Sequence, residues 1–380
     1  MAEEDGNNSS LSVSDHFADG KRFFHNITSE RSSSLCGYKY LQFILYFSHL
    51  CVPLQSERIG VRVKYEDLWQ QLSSIYETGE AKAIIRYILE IRYGLSMTDI
   101  MCGAVEQLPQ EELSALLNRL LQGEPVQYVT GVAEFGGRHF LVEPGVLIPR
   151  PETAELCQWI IDEEGRRRKE EGEMKEERGG SILDIGTGSG CIACTLAAEL
   201  PGSKVTAWDI SDEALRIAQE NAQNIGVNIC FEKVDILSIS PSSFLLNSVD
   251  FCRDSANQAS SLALTVPKVP PSSLWSTIVS NPPYICNKER EGMEQNVLDH
   301  EPSLALFVPD EDPLLFYRAI TRFATTALQD GGNLYFEINP LYAAPLEQLM
   351  QEEGFSDIRF RYDSFGKQRF ARGTFYKHPS

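Results

Sequence analysis

The stretch SILDIGTGSGC, residues 181–191, decides the fold class of this chain. An apolar run leads to Asp184, and glycines at positions 186, 188 and 190 follow directly before a helical pattern. Glycine permits the tight turn of a strand-to-helix connection, and free amides at a helix start favour a negatively charged group. The stretch therefore predicts a buried strand, a loop and a helix that bind a nucleotide-like cofactor.

The residues downstream continue to alternate between strand and helix patterns. Apolar runs predict strands at 181–185, 204–209, 229–234, 276–280 and 333–338, and helical spacing predicts helices from about 190, at 212–225 and at 313–329. This alternation is typical of an α/β fold with a doubly wound, mostly parallel sheet. Residues 355–376 hold two alternating runs around 363–367, which predicts a closing antiparallel hairpin.

The upstream half predicts two smaller units. Apolar residues recur every three or four positions and predict a small helical domain at 63–122. Residues 123–152 mix Gly, Pro and β-branched residues and predict a β-hairpin linker. The C-terminal domain then spans 153–380, and Thr153 is expected to cap its first helix.

Three segments fall outside this plan. Residues 1–62 are interpreted as a leader, either disordered or appended. The segment near 162–179 is a charged run with almost nothing to bury, so it is interpreted as an exposed helix end or insertion without chemistry. The segment 238–274 is Ser- and Pro-rich and too long for a simple connection, so it is interpreted as a second insertion.

The charge balance limits the classes of partner. Against 34 Lys and Arg stand 54 Asp and Glu, a net charge of −20. This argues against a broad electrostatic grip on nucleic acid and favours proteins or small molecules as partners. We expect a monomer without direct nucleic-acid contact.

The cysteines and the apolar segments indicate a cytoplasmic protein. Nine cysteines are scattered without the spacing of a zinc module or a disulfide framework, and the six histidines predict no metal site. Cys191 and Cys194 form a C-x-x-C in a helical pattern, where buried packing is favoured over redox chemistry. The apolar segment 38–54 is interrupted by polar residues and falls short of the roughly 20 residues of a membrane span, so no membrane contact is expected.

The glycine loop predicts the cofactor class more narrowly. A nicotinamide fingerprint would need a third glycine at position 191, where this chain has Cys191. Asp209 ends the second strand about 20 residues beyond the glycines, where a carboxylate can accept the hydroxyls of a ribose. Asp235 ends the next strand, at a position that could meet an adenine ring. A purely structural glycine turn is the alternative.

A second motif, IVSNPPYI at 278–285, follows the fourth strand. Proline fixes its own φ and restricts the residue before it, so Asn281 and Pro282 lie on a stiff loop. In a doubly wound sheet the carboxyl ends of strands one and four flank the ligand crevice. Asn281 is therefore expected within reach of the bound cofactor.

Together these motifs resemble a known family. LDIGTGSG, AWDIS and VSNPPYI resemble the class I S-adenosylmethionine-dependent methyltransferases that methylate planar amino groups. With EPVQYVTGVAEFGG and LIPRPET upstream, residues 64–376 resemble the HemK family of protein-(glutamine-N5) methyltransferases, which act on peptide chain release factors. The resemblance implies a seven-stranded Rossmann-like methyltransferase sheet, S-adenosylmethionine as cofactor, and the glutamine of a Gly-Gly-Gln loop as target.

The resemblance also implies roles for single residues. The implied cofactor-binding residues are Asp184, Gly186, Thr187, Gly188, Ser189, Gly190, Asp209, Asp235, Ile236 and Asn281. Ile236 departs from the aromatic residue that the family often has there. The Asn281 side-chain oxygen and the Pro282 carbonyl are implied to accept the amide hydrogens of the target, which also meets Pro283 and Tyr284.

Flanking residues and alternative functions complete the predictions. Residues 150–153 are expected to form a lid over the methionine end of the cofactor, although the prolines beside them could be plain hinges. His300 and Glu301 are interpreted as loop structure near the cleft. The alternative enzyme is a nucleic-acid adenine or guanine methyltransferase, and the alternative without chemistry is a cofactor-binding scaffold, which the intact NPPY motif disfavours.

Overall fold

The computed structural model of the chain describes residues 62–170, 179–239 and 274–377. The predicted leader lies outside them except for its last residue, as do the end of the charged run and most of the predicted insertion at 238–274. In the described part of the chain, no helix is both long and apolar enough to cross a membrane.

A small helical domain begins the described part of the chain. Its helices are α1 (Tyr65–Leu72), α2 (Thr78–Tyr93), α3 (Met97–Met101) and α4 (Gln110–Leu121), with a 3-10 turn at Ala104–Gln107. Helix α4 buries Leu113, Leu116, Leu117 and Leu120, whose spacing of three and four residues places them on one face. They join buried residues of α1 and α2 in one apolar cluster, so the predicted helical domain is present.

A short helix and a hairpin follow. They are α5 (Val126–Thr130), β1 (Val132–Phe135) and the antiparallel partner β2 (Arg138–Leu141). The turn between the strands is formed by Gly136 and Gly137, with φ of +55° and +73°. Only glycine adopts two successive left-handed conformations at little cost, which explains the pair of glycines in this turn.

A seven-stranded sheet forms the centre of the C-terminal domain. Its strands are β3 (Ser181–Ile185), β4 (Lys204–Asp209), β5 (Ile229–Lys233), β6 (Trp275–Ser280), β9 (Leu328–Glu337), β10 (Phe355–Tyr362) and β11 (Gln368–Phe375). The order is β10-β11-β9-β6-β3-β4-β5, and β11 alone runs in the opposite direction to the other six strands. The predicted doubly wound sheet with a C-terminal antiparallel hairpin is confirmed.

Helices cover both faces of this sheet. They are α6 (Pro151–Glu170), α7 (Cys191–Glu199), α8 (Asp212–Ile225), α11 (Leu315–Ala327) and α12 (Ala343–Glu352), while α9 (Gln295–His300), α10 (Ser303–Leu306) and the small strands β7 (Ile285–Cys286) and β8 (Phe307–Val308) follow β6. Ile278 belongs to the core under α11 and α12, and its neighbour Val279 to the core under α6 and α7. Both faces are apolar, which explains why the strands read as continuous apolar runs.

The predicted cap of α6 is wrong, and the start of the charged run is a helix end, as one of its two interpretations expected, but it is not fully exposed. The helix begins at Pro151, so Thr153 lies in its first turn instead of capping it, and its side chain is buried. The helix also continues to Glu170, through the first part of the charged run that was predicted to have almost nothing to bury. Glu164 in that run is buried and accepts a hydrogen bond from the Thr277 hydroxyl at 2.7 Å.

One predicted boundary between a helix and a strand differs from the structure. The helix predicted at 313–329 ends at Ala327, and the strand predicted at 333–338 begins at Leu328, because Leu328 pairs with Trp275 of β6.

Cys191 and Cys194 are buried free thiols in α7, as expected. Burial raises the pKa of Cys191 to about 12 and raises that of Cys194 further, which leaves both thiols protonated and unreactive at neutral pH.

Candidate active site

A cavity of about 260 Å³ opens at the carboxyl ends of β3, β4 and β6. Strands β3 and β6 pair up to Ile185 and Ser280, and the Ser280 hydroxyl donates to the Ile185 carbonyl at 2.6 Å. Gly186 and Asn281 are the next residues along each chain segment, so the glycine loop and the NPPY loop begin side by side. Gly186 and Asn281 both line this cavity, which is the larger of two described below.

The glycine loop leaves open space on the cavity side. Gly186 and Gly188 have φ of +73° and +54°, and a Cβ built on either would meet no atom within 4 Å. Gly190 has φ of +79°, and a Cβ there would meet the Ala218 Cβ at 2.9 Å. The first two glycines thus leave the backbone accessible to a ligand, and the third allows α7 and α8 to approach closely.

Asp209 lies in the wall of the cavity beside Gly188. Its Oδ2 atom accepts from the Gly188 N–H and its Oδ1 atom from the Ser211 N–H, each at 2.9 Å. These bonds fix the carboxylate and leave each oxygen a lone pair for a ligand hydroxyl. Burial raises the pKa of Asp209. Hydrogen bonds from backbone amides, including those of Ser211 and Gly188, offset part of this increase.

Asp184 lies beneath the loop, outside the cavity wall. Its side chain is fully buried, and its Oδ2 atom accepts from the Thr187 hydroxyl at 2.7 Å and from the Ala193 N–H at 3.2 Å. Burial raises the pKa of Asp184 to about 7. Thr187, Ser189 and Gly190 also lie outside the wall. These four predicted cofactor residues support the shape of the loop.

Asp235 and Ile236 border the far end of the cavity. The Asp235 carboxylate accepts from the Leu237 N–H at 3.0 Å and from the Ser238 hydroxyl at 2.5 Å, which stabilises the 3-10 turn Ile236–Ser238. Ile236, Val234 and Leu237 make this end of the cavity aliphatic. The surface fits a flat ring that has a polar edge.

Asn281 is the first member of a chain of hydrogen bonds that sequence reasoning did not foresee. Its Nδ2 atom donates to the Thr153 hydroxyl oxygen at 3.2 Å, and that hydroxyl donates to Glu337 Oε2 at 2.6 Å. The Tyr284 phenol donates to the other oxygen, Glu337 Oε1, at 3.0 Å. One buried carboxylate therefore supports both polar side chains of the NPPY loop.

A smaller cavity of about 190 Å³ lies on the other side of this loop. Asn281 and Pro282 line both cavities, whereas Tyr284 and Glu337 line only the smaller one. The loop therefore separates a large chamber beside the glycine loop from a small chamber beside the phenol. Such an arrangement suits a reaction between two ligands that approach Asn281 from opposite sides.

Comparisons with known proteins agree with this geometry. Residues 67–131 match the family profile described as the PrmC N-terminal domain, and residues 176–270 match the profile described as a methyltransferase domain. A release factor glutamine methyltransferase of Bacteroides thetaiotaomicron is 41% identical over 303 residues, covering 79% of this chain and 95% of the relative. The chain belongs to the release factor glutamine methyltransferase family. The family resemblance inferred from the motifs is thereby confirmed.

A second relative matches over a similar length. The relative in Flavobacterium psychrophilum is 37% identical over 309 residues, covering 80% of this chain and 96% of the relative. Among solved structures, a release factor-specific protein-(glutamine-N5) methyltransferase of Alicyclobacillus acidocaldarius matches at 24% identity with a TM-score of 0.32, covering 63% of this chain and all of that chain (100%).

Within this family member, the segment predicted as a lid divides into two parts. Arg150 lines the smaller cavity and donates to Glu301 at 2.5 Å, and Glu301 also accepts from the Ile148 N–H at 3.2 Å. Thr153 is instead buried behind Asn281, so it is no part of a lid. Among the described histidines, cysteines and carboxylates, no cluster could hold a metal ion.

Proposed function

We propose that this chain transfers a methyl group from S-adenosylmethionine to the side-chain amide nitrogen of the glutamine in the Gly-Gly-Gln motif of peptide chain release factors. The observation that carries the proposal is the position of Asn281, between the two cavities with its side chain fixed by Thr153. Membership of the family supplies the identity of the acceptor.

The larger cavity has the features that S-adenosylmethionine requires. The backbone at Gly186 and Gly188 would meet the methionine part, Asp209 the ribose hydroxyls, and Asp235 with Ile236 the adenine ring. The open space above both glycines is the space that a Cβ would fill, which fits a closely held ligand. When bound, S-adenosylmethionine supplies a methyl group on a cationic sulfur that leaves as a thioether.

In this proposal the smaller cavity receives the target glutamine. An amide nitrogen is a poor nucleophile because its lone pair is delocalised, so the enzyme has to aim it. The Asn281 Oδ1 atom and the Pro282 carbonyl accept the two amide hydrogens and direct the nitrogen toward the larger cavity. Positioning of this kind is worth up to about 7–11 kcal/mol of the barrier.

Tyr284 forms a fixed wall beside the target. Burial and the neighbouring Glu337 raise the pKa of Tyr284, so the phenol keeps its proton at neutral pH. The ring therefore acts by packing and the phenol by its hydrogen bond to Glu337. The proton that the methylated nitrogen loses goes to water, because the NPPY loop contains no histidine or lysine to take it.

We assign recognition of the release factor to the helical domain at 63–122, with 123–152 as the linker and 153–380 as the catalytic domain. The enzyme acts as a monomer in the cytoplasm, where release factors work, and without direct contact to nucleic acid. The net charge of −20 supports the last point.

The test is transfer of labelled methyl from S-adenosylmethionine to three parallel substrates. They are an intact release factor, the same factor with the Gly-Gly-Gln glutamine changed to alanine, and duplex DNA. We expect label on the intact factor alone. Label on DNA, or equal label on the alanine variant, would contradict the proposal.

A further inference from the structure

The buried carboxylate of Glu337 holds two hydrogen-bond donors from separate parts of the chain. Glu337 ends β9 and is only 2% exposed. Its Oε2 atom accepts from Thr153 of α6 at 2.6 Å, and its Oε1 atom accepts from Tyr284 of the NPPY loop at 3.0 Å. A buried carboxylate in a core of this kind needs such donors, and both of its oxygens have one.

The direction of these bonds determines the orientation of the Asn281 amide. Glu337 is the acceptor in both of these bonds, so the single hydroxyl hydrogen of Thr153 is used toward Glu337. The Thr153 oxygen then remains an acceptor, and its partner on Asn281 has to be the donor atom Nδ2, at 3.2 Å. The Asn281 Oδ1 atom consequently points away from Thr153.

We propose that Glu337 is a positioning residue that fixes, through Thr153, which end of the Asn281 amide faces the acceptor. This inference rests on the proposed function, because the acceptor is taken to be an amide that presents two hydrogens. With Oδ1 turned toward it, Asn281 accepts one of those hydrogens. With the amide turned round, an N–H of Asn281 would face an N–H of the acceptor, and the acceptor nitrogen would not be held in the reactive orientation.

Glu337→Gln reverses the donor and acceptor directions along this series of hydrogen bonds and keeps the size and shape of the side chain. Tyr284 continues to donate to the oxygen of the new amide, so its NH₂ group faces Thr153 and donates to it. Thr153 then donates to Asn281 Oδ1, and the amide that Asn281 presents is inverted. We expect kcat on the release factor to fall about 100-fold, while the Kd of S-adenosylmethionine and the KM of the release factor change less than about 3-fold.

Two substitutions of Thr153 provide an independent test. Thr153→Val keeps the volume and removes the hydroxyl, so it should lower kcat as far as Glu337→Gln does. Thr153→Ser keeps the hydroxyl and should restore kcat to within about 3-fold of the native enzyme. The double variant Glu337→Gln with Thr153→Val should be no slower than Thr153→Val alone, because both changes break one chain.

The chain offers a matched control away from the site. Thr277 donates to the buried carboxylate of Glu164 at 2.7 Å, a hydroxyl–carboxylate pair between β6 and α6 in which Glu164 also forms an ion pair with Arg167 at 2.7 Å. Glu164→Gln should leave kcat within about 3-fold, which separates positioning from a general loss of buried charge. Thermal unfolding and cofactor affinity are measured for every variant. If Glu337→Gln does not fold, the kcat of Thr153→Val tests the positioning role by itself.

The outcomes separate this inference from the proposed function. If the native enzyme methylates the release factor and both Glu337→Gln and Thr153→Val keep native kcat, the positioning role is wrong and the function stands. If Thr153→Ser is as slow as Thr153→Val, the hydroxyl is not the link and the inference is overturned. If the native enzyme does not methylate the factor, the proposed function fails first.

Discussion

At the scale of the residue, Asp209 and Asn281 occupy different parts of one site. Asp209 faces only the larger cavity and is fixed by two backbone amides, whereas Asn281 borders both cavities and is fixed by Thr153. The first position suits a ligand that stays bound throughout a turnover. The second suits a residue that holds the acceptor in place where it meets that ligand.

This difference predicts opposite effects of two alanine substitutions. Asp209→Ala should weaken the binding of S-adenosylmethionine at least about 10-fold, because a ribose would lose a charge-assisted hydrogen bond. Asn281→Ala should lower kcat at least about 100-fold with less than about 3-fold change in that Kd. Calorimetric titration and single-turnover rates measure the two quantities. Equal losses of affinity with unchanged turnover would show that the division of roles is wrong.

Asp184 predicts a pH dependence of stability. Burial raises its pKa to about 7 in the folded protein, above the ordinary value of 3.8, so the folded state favours the protonated carboxyl. The stability that this provides is complete below about pH 4 and is lost as the pH rises through 7. Asp184→Asn cannot titrate and keeps an oxygen for Thr187 and Ala193.

The free energy of unfolding of Asp184→Asn, relative to the native chain, should therefore increase between pH 5 and pH 8, by on the order of 2 kcal/mol. Denaturant unfolding at both pH values measures the difference, with the exposed Glu311→Gln as the control. An equal difference at pH 5 and pH 8 would show that Asp184 titrates normally.

At the scale of the element, the glycine loop combines a left-handed backbone with a close contact. Gly190 and Gly226 have nearly the same φ, +79° and +82°, but a Cβ meets Ala218 at 2.9 Å only at Gly190. Alanine at either position costs about 1–2 kcal/mol for the left-handed backbone. Gly190→Ala should cost about 1–3 kcal/mol more, because α7 and α8 have to separate.

Chemical unfolding of both alanine variants tests this account of the loop. Gly226 ends α8 away from the cavity, so its variant reports the backbone cost alone. Cofactor affinity should fall only for Gly190→Ala, since the start of α7 would move. Equal losses of stability for the two variants would show that the contact with Ala218 has no energetic role.

At the scale of the whole molecule, the acidic charge predicts that nucleic acid does not change the rate of the enzyme. A net charge of −20 repels a polyanion and cannot neutralise a run of phosphates. A hundredfold excess of duplex DNA at low salt should leave the rate of release factor methylation unchanged. Competitive inhibition by DNA that weakens with added salt would reveal a local basic site and support the rival nucleic-acid function.

The sheet was predictable from the sequence because its strands are buried on both faces and read as short apolar runs. The motifs at the ends of β3, β4 and β6 could be placed together from the strand order of such a sheet alone. The boundary of β9 was not predictable, because Leu328 fits a helical pattern and is drawn into the sheet by pairing with Trp275.

The hydrogen bonds that hold Asn281 and Tyr284 in place were not predictable either, because they also depend on contacts between distant parts of the chain. Thr153 and Glu337 are 184 positions apart, and their hydrogen bond exists only once α6 is packed on β9. The one signal for Glu337 was a carboxylate directly after the short run Leu334–Phe336 in the predicted strand, which by itself is weak. The local motifs predicted several residues that line the two cavities, whereas the long-range contact between Thr153 and Glu337 left no comparable signal in the sequence.

The central claim is that the methyl group is added to a glutamine side chain, and mass spectrometry of the product tests it most directly. A purified release factor is incubated with the enzyme and S-adenosylmethionine, digested, and fragmented to locate the added mass. The account predicts one methyl group, on the side chain of the Gly-Gly-Gln glutamine. A methyl group on a lysine, an arginine or a chain terminus, with the glutamine unmodified, would contradict it.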